Sequence, residues 1–481
     1  MTRRLPVDPS PAPLETYAAA FDDLFTLRNQ RHSFRRYLEG LLLPAERNKT
    51  LTGLANTEPG VGSTHPRVQG LQWFLSESTW DPQEVNSRRL ELLRADPATA
   101  PDGRGVLVID EHGDRKWGDK TAHVGRQYLA NIGKIDSGVV SVTTLWADEH
   151  VYYPLHVEPY TPAHHFEGGK ADPAFRTKLG IAVELVGKAV GAGIEFRAVV
   201  ADCFYGEDRG VRRGLEELGA GYVLALKPSH SWWHATGTVG ALWEAALGAG
   251  WASAGSPGEW KKVVRAFRGG HTEDWWALEV ETGPYGPDKP RRAVVATTDP
   301  GKLPEKETWY LTTNLPVPGS GRVYEEGAKP AADLAEVVRL YGLRMWVEQS
   351  YKQVKHSLGW SQYQVRSDRA IRRHWELVCC AFSFCWRDWA PGPAAPPGEP
   401  EAAVTTDPAA AEAAGRGENQ PRIGAHQAKR DVAWCAAGGA GVAGAVGAAA
   451  ALVAGLVGQA PAARTAGLAR RSATGGGHPL L

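Results

Sequence analysis

Residues 341–360 read YGLRMWVEQSYKQVKHSLGW, and the spacing of side chains here decides how the rest of the chain is read. Tyr341, Arg344, Glu348 and Lys355 follow one another at intervals of three, four and seven. On a helix those intervals share one face. Leu340, Leu343, Val347, Val354 and Leu358 form a second stripe, one residue out of phase. Such a helix lays its apolar stripe on a core and presents a tyrosine, two cations and a carboxylate beside it. A carboxylate flanked by cations on a rigid element suits an acid that holds a metal near a phosphodiester. The competing reading is a surface helix with charge pairs. Gly342 sets the expected helix start at residue 343 and leaves Tyr341 on the preceding turn. The shared face therefore holds for Arg344, Glu348 and Lys355, and less firmly for the tyrosine.

Upstream, strands and helices alternate. Residues 105–109 (GVLVI) form a short apolar run ending at Asp110, as expected for a buried central strand. Residues 138–146 and 151–157 read as two antiparallel strands joined by a turn at Asp148-Glu149. Residues 172–190 read as a helix closed by Gly191 and Gly193. Residues 196–201 form another apolar run, ending at Asp202; 207–218 read as a helix and 222–226 as a strand. These elements predict an α/β fold, a sheet with helices on both faces. Residues 229–305 interrupt it with Trp- and Gly-rich alternating runs such as WKKVVRAF and TEDWWALEV, a mainly β insertion. TWYLTTNL, 308–315, is either its last strand or a return to the main sheet. Helices follow at 331–340 and 343–358, then at 368–386, which is basic at its start and apolar at its end.

Before the sheet lies an all-α region. Residues 14–43 have helical periodicity, with Phe21, Leu24, Phe25, Phe34, Tyr37 and Leu41 as the apolar stripe and Arg31, Arg35 and Arg36 as a basic face. Short helices follow, broken at Pro59-Gly60 and Asp81-Pro82, with Asp81 or Thr79 as cap. The predicted organisation is a loose N-terminus (1–15) and a helical domain (16–100). An α/β core (101–228 and 306–390), an insertion (229–305) and an Ala/Gly/Pro-rich tail (391–481) follow. The helical domain is compatible with helix-turn-helix DNA binding and equally with packing or dimerisation. The tail is expected to be disordered or out of frame, since its composition departs abruptly from a Trp-dense chain.

The 481 residues carry 54 basic and 54 acidic side chains, so the whole chain gives no nucleic-acid signal and a DNA surface must be a local basic patch. Five cysteines without a C-x-x-C pair argue against a disulfide framework or zinc site and for a reducing compartment. The N-terminus lacks an apolar signal core. Residues 433–463 are uncharged, but Ala and Gly make them a poor membrane span.

Three acids stand out by position: Asp110 and Asp202 at strand ends, Glu348 on the later helix. Functional groups of open sheets gather at the carboxyl ends of strands. Three carboxylates are hard oxygen ligands suited to two Mg²⁺ ions about 4 Å apart, with in-line displacement at a phosphodiester as the implied chemistry. Asp114, in what reads as a polar loop, and Glu111 are the alternatives to Asp110. Glu207 and Asp208 read as first-turn helix acids. His164-His165 lacks a third ligand at a useful spacing. Cys379, Cys380 and Cys385 read as core.

Tyr341, Arg344, Glu348 and Lys355 match the pattern Y-x2-R-x3-E-x6-K at every position. Together with Asp110, Asp202 and the β-rich insertion, the chain resembles bacterial insertion-sequence transposases with the DDE active site. The segments VLVIDEHGDRKWG, RQYLANIGKIDSGVVSV and ADCFYG are similar to the insertion-sequence family numbered seven-hundred-one. The resemblance covers residues 15–390 and not the tail, where a family member would continue with Trp- and Leu-rich helices. It implies an RNase H-like catalytic core, a mixed sheet flanked by helices, with a β-rich insertion. It also implies Asp110, Asp202 and Glu348 as ligands of two Mg²⁺ ions, for which Mn²⁺ substitutes. Tyr341, Arg344 and Lys355 are the implied DNA contacts; Lys352 on the same helix and Lys227, at a strand end, are read as further DNA-binding candidates. Gln127, Tyr128 and Lys134 are further candidates for the DNA channel. The implied partners are transposon-end DNA and target DNA, with a homodimer in the synaptic complex. The implied location is the bacterial cytoplasm, at the nucleoid when bound to DNA. Some relatives stack an aromatic of the insertion on a flipped base; Trp275, Trp276 and Trp309 are candidates, each with a core role as the alternative. A silent DNA-binding regulator, a metal-dependent nuclease of the same fold and a glycoside hydrolase with paired carboxylates are the competing functions.

Overall fold

The computed structural model describes residues 10, 12–44, 48–57, 62, 64–233, 238–267, 271–280, 292–319 and 329–389. The expectations for the tail, for 433–463, for the Pro59-Gly60 turn and for most of 1–15 lie outside them.

The chain begins with helices α1 (Leu14–Ala19), α2 (Arg28–Leu42), α3 (Leu51–Leu54), α4 (Pro66–Ser76) and α5 (Pro82–Ala95). The start of α5 follows from local chemistry: Pro82 pre-sets the first turn, and the Asp81 carboxylate accepts from Gln83 N at 2.8 Å. The expected basic face of α2 is not a face. Arg31 and Arg35 are buried; Arg35 pairs with Glu15 and Asp22 at 2.7 Å each, and Arg31 donates to the Phe25 carbonyl. Arg35 is matched by two acids and Arg31 by a backbone carbonyl, which periodicity alone does not reveal.

Strands β1 (Val106–Arg115), β2 (Gly125–Leu129), β3 (Lys134–Ala147) and β4 (Tyr152–Tyr160) follow, then α6 (Lys178–Gly191), β5 (Ala198–Ala201), α7 (Cys203–Gly206), α8 (Arg209–Glu217) and β6 (Tyr222–Leu226). β1 corrects the expected boundary. It does not stop at Asp110 but runs five residues further, because β3 is long enough to pair with all ten of its residues, Val106↔Ala147 through Arg115↔Gly138. Asp110 is therefore mid-strand, and Asp114 is in the strand and buried rather than in a polar loop. The hairpin strand β2 had no periodic signal. α6 starts later than expected, at a Thr177 cap whose hydroxyl accepts from Gly180 N at 3.0 Å.

The remaining elements are β7 (Ser231–Trp233), β8 (Val239–Ala241), α9 (Leu242–Gly248), β9 (Lys261–Ala266), β10 (Thr272–Val280), β11 (Arg292–Thr297), β12 (Thr308–Thr313), α10 (Leu334–Gly342), α11 (Met345–His356) and α12 (Asp368–Trp389). The main sheet runs β2-β3-β1-β5-β6-β12-β11-β10-β9, with β4 also on β3. β1, β5 and β6 are parallel; the other pairs are antiparallel. This is the mixed, helix-flanked sheet of the RNase H-like class. β12 pairs with both β6 and β11, so the strands of the insertion extend the catalytic sheet and do not form a sheet of their own.

One apolar core joins the N-terminal helices, the strands from β1 to β6 and α12. α12 is buried over most of its length, including Cys379, Cys380 and Cys385. Arg89 of α5 fastens this arrangement: it donates to Glu376 and Ser383 of α12 and to the Pro154 and Leu155 carbonyls of β4. No described helix is long and apolar enough to cross a membrane.

Candidate active site

α10 and α11 nearly continue one another. The break falls at Leu343-Arg344, two residues later than Gly342 suggested, and the bonds Arg344 N→Tyr341 O and Val347 N→Arg344 O tighten the turn. Tyr341 thus belongs to α10. Arg344, in helical backbone at the head of α11, points its side chain toward the sheet.

Arg344 Nη2 lies 3.0 Å from Asp110 Oδ2 and 3.9 Å from Asp202 Oδ2, and Nη1 lies 4.0 Å from Glu348 Oε1. Carboxylates from β1, from the end of β5 and from α11 therefore surround one guanidinium. Parallel pairing of β1 with β5 brings the two aspartate-bearing chains side by side. Asp202 uses Oδ1 to cap α7, accepting from Phe204 N at 3.0 Å, and keeps Oδ2 toward Arg344. Gly206 lets α7 sit on β6: a Cβ there would overlap the Ala225 carbonyl.

Burial pushes the Asp110 carboxyl up to about 7; the Arg344 charge opposes this and the Asp202 charge adds to it. Burial works against the Arg344 guanidinium too, but Asp110, Tyr341, Asp202 and Glu348 hold its pKa above the ordinary value. Burial raises the Tyr341 hydroxyl to about 12. Its ring meets Trp309 edge-on at 4.9 Å.

The donor set fits a divalent cation in kind, since all three acids offer hard oxygens and two of them turn an oxygen to one guanidinium nitrogen. Among the described residues no three acids, histidines or cysteines form a ready-made metal cage. The positive charge at the centre of the trio belongs to Arg344.

The other expected contacts are not gathered into this cluster. Lys355 lies two turns beyond Glu348, roughly 10 Å along the helix axis, half-buried; Lys352 is exposed on the same helix. Lys227 is exposed just past β6, with its backbone N–H on Glu207. Tyr128 and Lys134 are exposed on the β2–β3 hairpin, and Gln127 is half-buried there. Trp275 is buried against Trp309 at 4.3 Å, and Trp276 packs edge-on against Trp251 at 4.6 Å, so the packing favours the core alternative for these rings. His165 bonds the Val124 carbonyl.

Thr143, His112 and Tyr351 escaped the sequence reading, whereas Asp114 and Glu111 were the alternatives to Asp110. Thr143, opposite Asp110 in the ladder, donates to the Asp110 carbonyl at 3.4 Å and is hydrogen-bonded to Tyr351 of α11. His112 Nε2 lies 3.0 Å from Asp114, and its ring packs on Tyr351 at 4.8 Å. Tyr351 stands seven residues after Arg344, the same interval that marked Lys355, and could have been found by it. Glu111, adjacent to Asp110, pairs with Lys178 of α6 at 2.9 Å.

Residues 20–273 match the family described as DDE superfamily endonuclease. The chain is also 31% identical over 369 residues to a Microchaete diplosiphon protein named probable transposase for insertion sequence element IS701, an alignment covering 76% of this chain and 85% of that one.

Proposed function

This chain belongs to the DDE superfamily of endonucleases and is a DNA transposase of the IS701 kind, and from that premise we propose that Asp110, Asp202 and Glu348 are its catalytic acids. The observation that carries the reading is the convergence of these three acids on Arg344, each within 4.0 Å of its guanidinium. DDE endonucleases depend on divalent metal, and here Mg²⁺, or Mn²⁺ in its place, would be held by the three acids. When bound, the metal supplies Lewis-acid stabilisation of phosphoryl charge and an activated oxygen nucleophile.

The residues of the chain do the rest. Asp110 is fixed by the β1–β3 ladder and Asp202 by its capping bond, so two carboxylate oxygens are held without help from solvent. Glu348, 74% exposed, is the solvent-facing member of the trio and the one open to an incoming DNA strand. Arg344 keeps the cluster from repelling itself apart and carries a planar fork suited to a phosphate. Lys355 and Lys352 extend the positive charge along α11, and Lys227 adds to it from the end of β6. Tyr341 offers a hydroxyl that stays protonated at neutral pH. The reaction we assign is hydrolysis at the insertion-sequence ends to free a 3′-OH, which then attacks target DNA at the same acids. Two chains acting as a homodimer would hold the paired ends.

The test is cleavage of labelled end DNA in Mg²⁺ by the wild type and by Glu348→Gln, with and without EDTA. Wild-type strand cleavage that EDTA and the variant both abolish supports the assignment. Equal cleavage by Glu348→Gln removes this glutamate from the trio.

A further inference from the structure

Arg265 lies where the insertion meets the end of α10. Along β9, Val264 and Ala266 are exposed while Val263 is buried in a small core shared with Val338 of α10. Arg265 is the next residue on that inward face. A Cβ at Gly342 would stand 2.7 Å from its Nη2, so the guanidinium occupies the space left by the one residue of the helix end without a side chain. The Arg265 side chain is only 11% exposed.

Three rings surround it, Phe267 at 4.7 Å, Trp275 at 4.6 Å and Trp309 at 4.7 Å from the guanidinium carbon. Aromatic faces attract a cation but give its N–H groups nothing to bond. Other deeply placed arginines of the chain are hydrogen-bonded: Arg89 as described, and Arg292 to Glu279 and to backbone carbonyls. Arg265 has, among the described residues, only Glu273 at 4.0 Å, beyond hydrogen-bond reach. Glu273 is 42% exposed and accepts instead from Trp275 Nε1 at 3.1 Å. Burial lowers the Arg265 pKa to about 10, so it remains charged at neutral pH. A buried guanidinium is usually matched by an anion or carbonyls; among the described residues this one has neither within hydrogen-bond reach.

We propose that Arg265 is a binding site for a backbone phosphate of the DNA engaged at the active site, reached from the insertion side of the Tyr341–Arg344 turn. The ligand chemistry is a phosphodiester monoanion, which the planar fork meets with two donors. The proposal rests on the transposase reading. It adds a contact outside the Tyr-Arg-Glu-Lys pattern and joins the insertion to DNA without a base-stacking tryptophan.

The experiment is a salt titration of end-DNA binding by the full chain, read by fluorescence anisotropy for the wild type, Arg265→Gln, Arg265→Lys, Glu273→Gln and Lys355→Ala. Arg265→Gln is expected to weaken binding about tenfold and to reduce the slope of log K against log salt by about 0.9, while Arg265→Lys keeps the slope. Glu273→Gln removes the nearby carboxylate and is expected to tighten binding; because Glu273 is partly exposed, this variant keeps the test decisive if Arg265→Gln fails to fold. An unchanged slope in folded Arg265→Gln, or unchanged affinity in Glu273→Gln, overturns the proposal. If Lys355→Ala lowers the slope while the Arg265 and Glu273 variants do not, only this site falls. If the wild type does not bind DNA, the transposase reading falls with it.

Discussion

Arg344 Nη2 donates to Asp110 Oδ2 at 3.0 Å, so a carboxylate on a central strand is paired with a cation from far along the chain. The two residues are 234 positions apart in sequence, and the contact closes the site between β1 and α11. Because the guanidinium and a metal ion compete for the same acids, removing it has two opposite effects. Arg344→Ala is expected to bind Mn²⁺ more tightly in the absence of DNA, by electron paramagnetic resonance titration. End cleavage is expected to fall by about a hundredfold or more as the charge-assisted phosphate contact is lost. A variant with wild-type Mn²⁺ affinity and wild-type cleavage would show that Arg344 serves neither role.

Asp202→Asn separates ligation from folding. Asparagine caps a helix about as well as aspartate, so the bond to Phe204 N survives and the thermal midpoint stays within a degree or two of wild type. The anionic oxygen facing Arg344 is lost, and cleavage is expected to drop by on the order of a thousandfold. Gel assays and calorimetry on one preparation read both quantities. Strong cleavage by this variant would exclude Asp202 from the acids.

Gly206→Ala tests the same residue through its support. The added methyl meets the Ala225 carbonyl and forces α7, with its Asp202 cap, away from β6. Expected are a loss of about 2 kcal/mol or more in stability, from overpacking, and a fall in cleavage larger than the fraction unfolded explains. Urea denaturation followed by tryptophan fluorescence supplies the first number.

Arg89→Met leaves Glu376 buried without its cation and removes the bonds to Asn86 Oδ1, Ser383 Oγ and the Pro154 and Leu155 carbonyls. Breaking a buried pair in this way costs about 3–5 kcal/mol. Replacing both partners, Arg89→Met with Glu376→Met, is expected to recover part of that loss. A double variant no more stable than the single one would mean that the bonds to the β4 carbonyls, not the ion pair, carry the effect.

Two buried histidines set an acid limit. Burial lowers His374 to about 4 and His156 to about 3. The His374 Nε2–H donates to the Gly359 carbonyl, and its Nδ1 accepts from the Tyr37 hydroxyl at 2.8 Å. The unfolded chain takes up protons near pH 6.5, before the folded chain does, so stability is full above that pH. It is lost as pH falls from about 6.5 towards 4, by of order 3 kcal/mol for His374 alone. Urea midpoints measured across this window should fall with pH in the wild type and fall less in His374→Gln. Parallel pH profiles for the two proteins would remove His374 from this account.

Much of the site was legible because it rests on periodicity and on where apolar runs stop. β6 was placed residue for residue from Tyr222 to Leu226, and Asp202 follows β5 directly, since a short buried apolar strand has sharp polar ends. The continuation of β1 past Asp110 was not legible, because EHGDR becomes a strand only by pairing with β3. The same holds for the arginines of α2: Arg31 and Arg35 read as a basic face until the Phe25 carbonyl, for the first, and Glu15 and Asp22, for the second, are folded against them. The helix break moved from Gly342 to Leu343-Arg344 because the glycine's missing side chain is used for close approach by Arg265, not for a turn.

The unbroken ladder from β1 through β12 to β9 bears on how such proteins can be rebuilt. A segment inserted as a separate lobe can be exchanged between relatives by cutting its two connections. Here, removal of 229–305 would strip β12 of its neighbour, leave an open strand edge and expose Tyr310, Leu226 and Val338 to water. Chimeras between relatives should therefore carry β12 and α10 along with the insertion, making the transferable unit one that ends inside the signature helix pair.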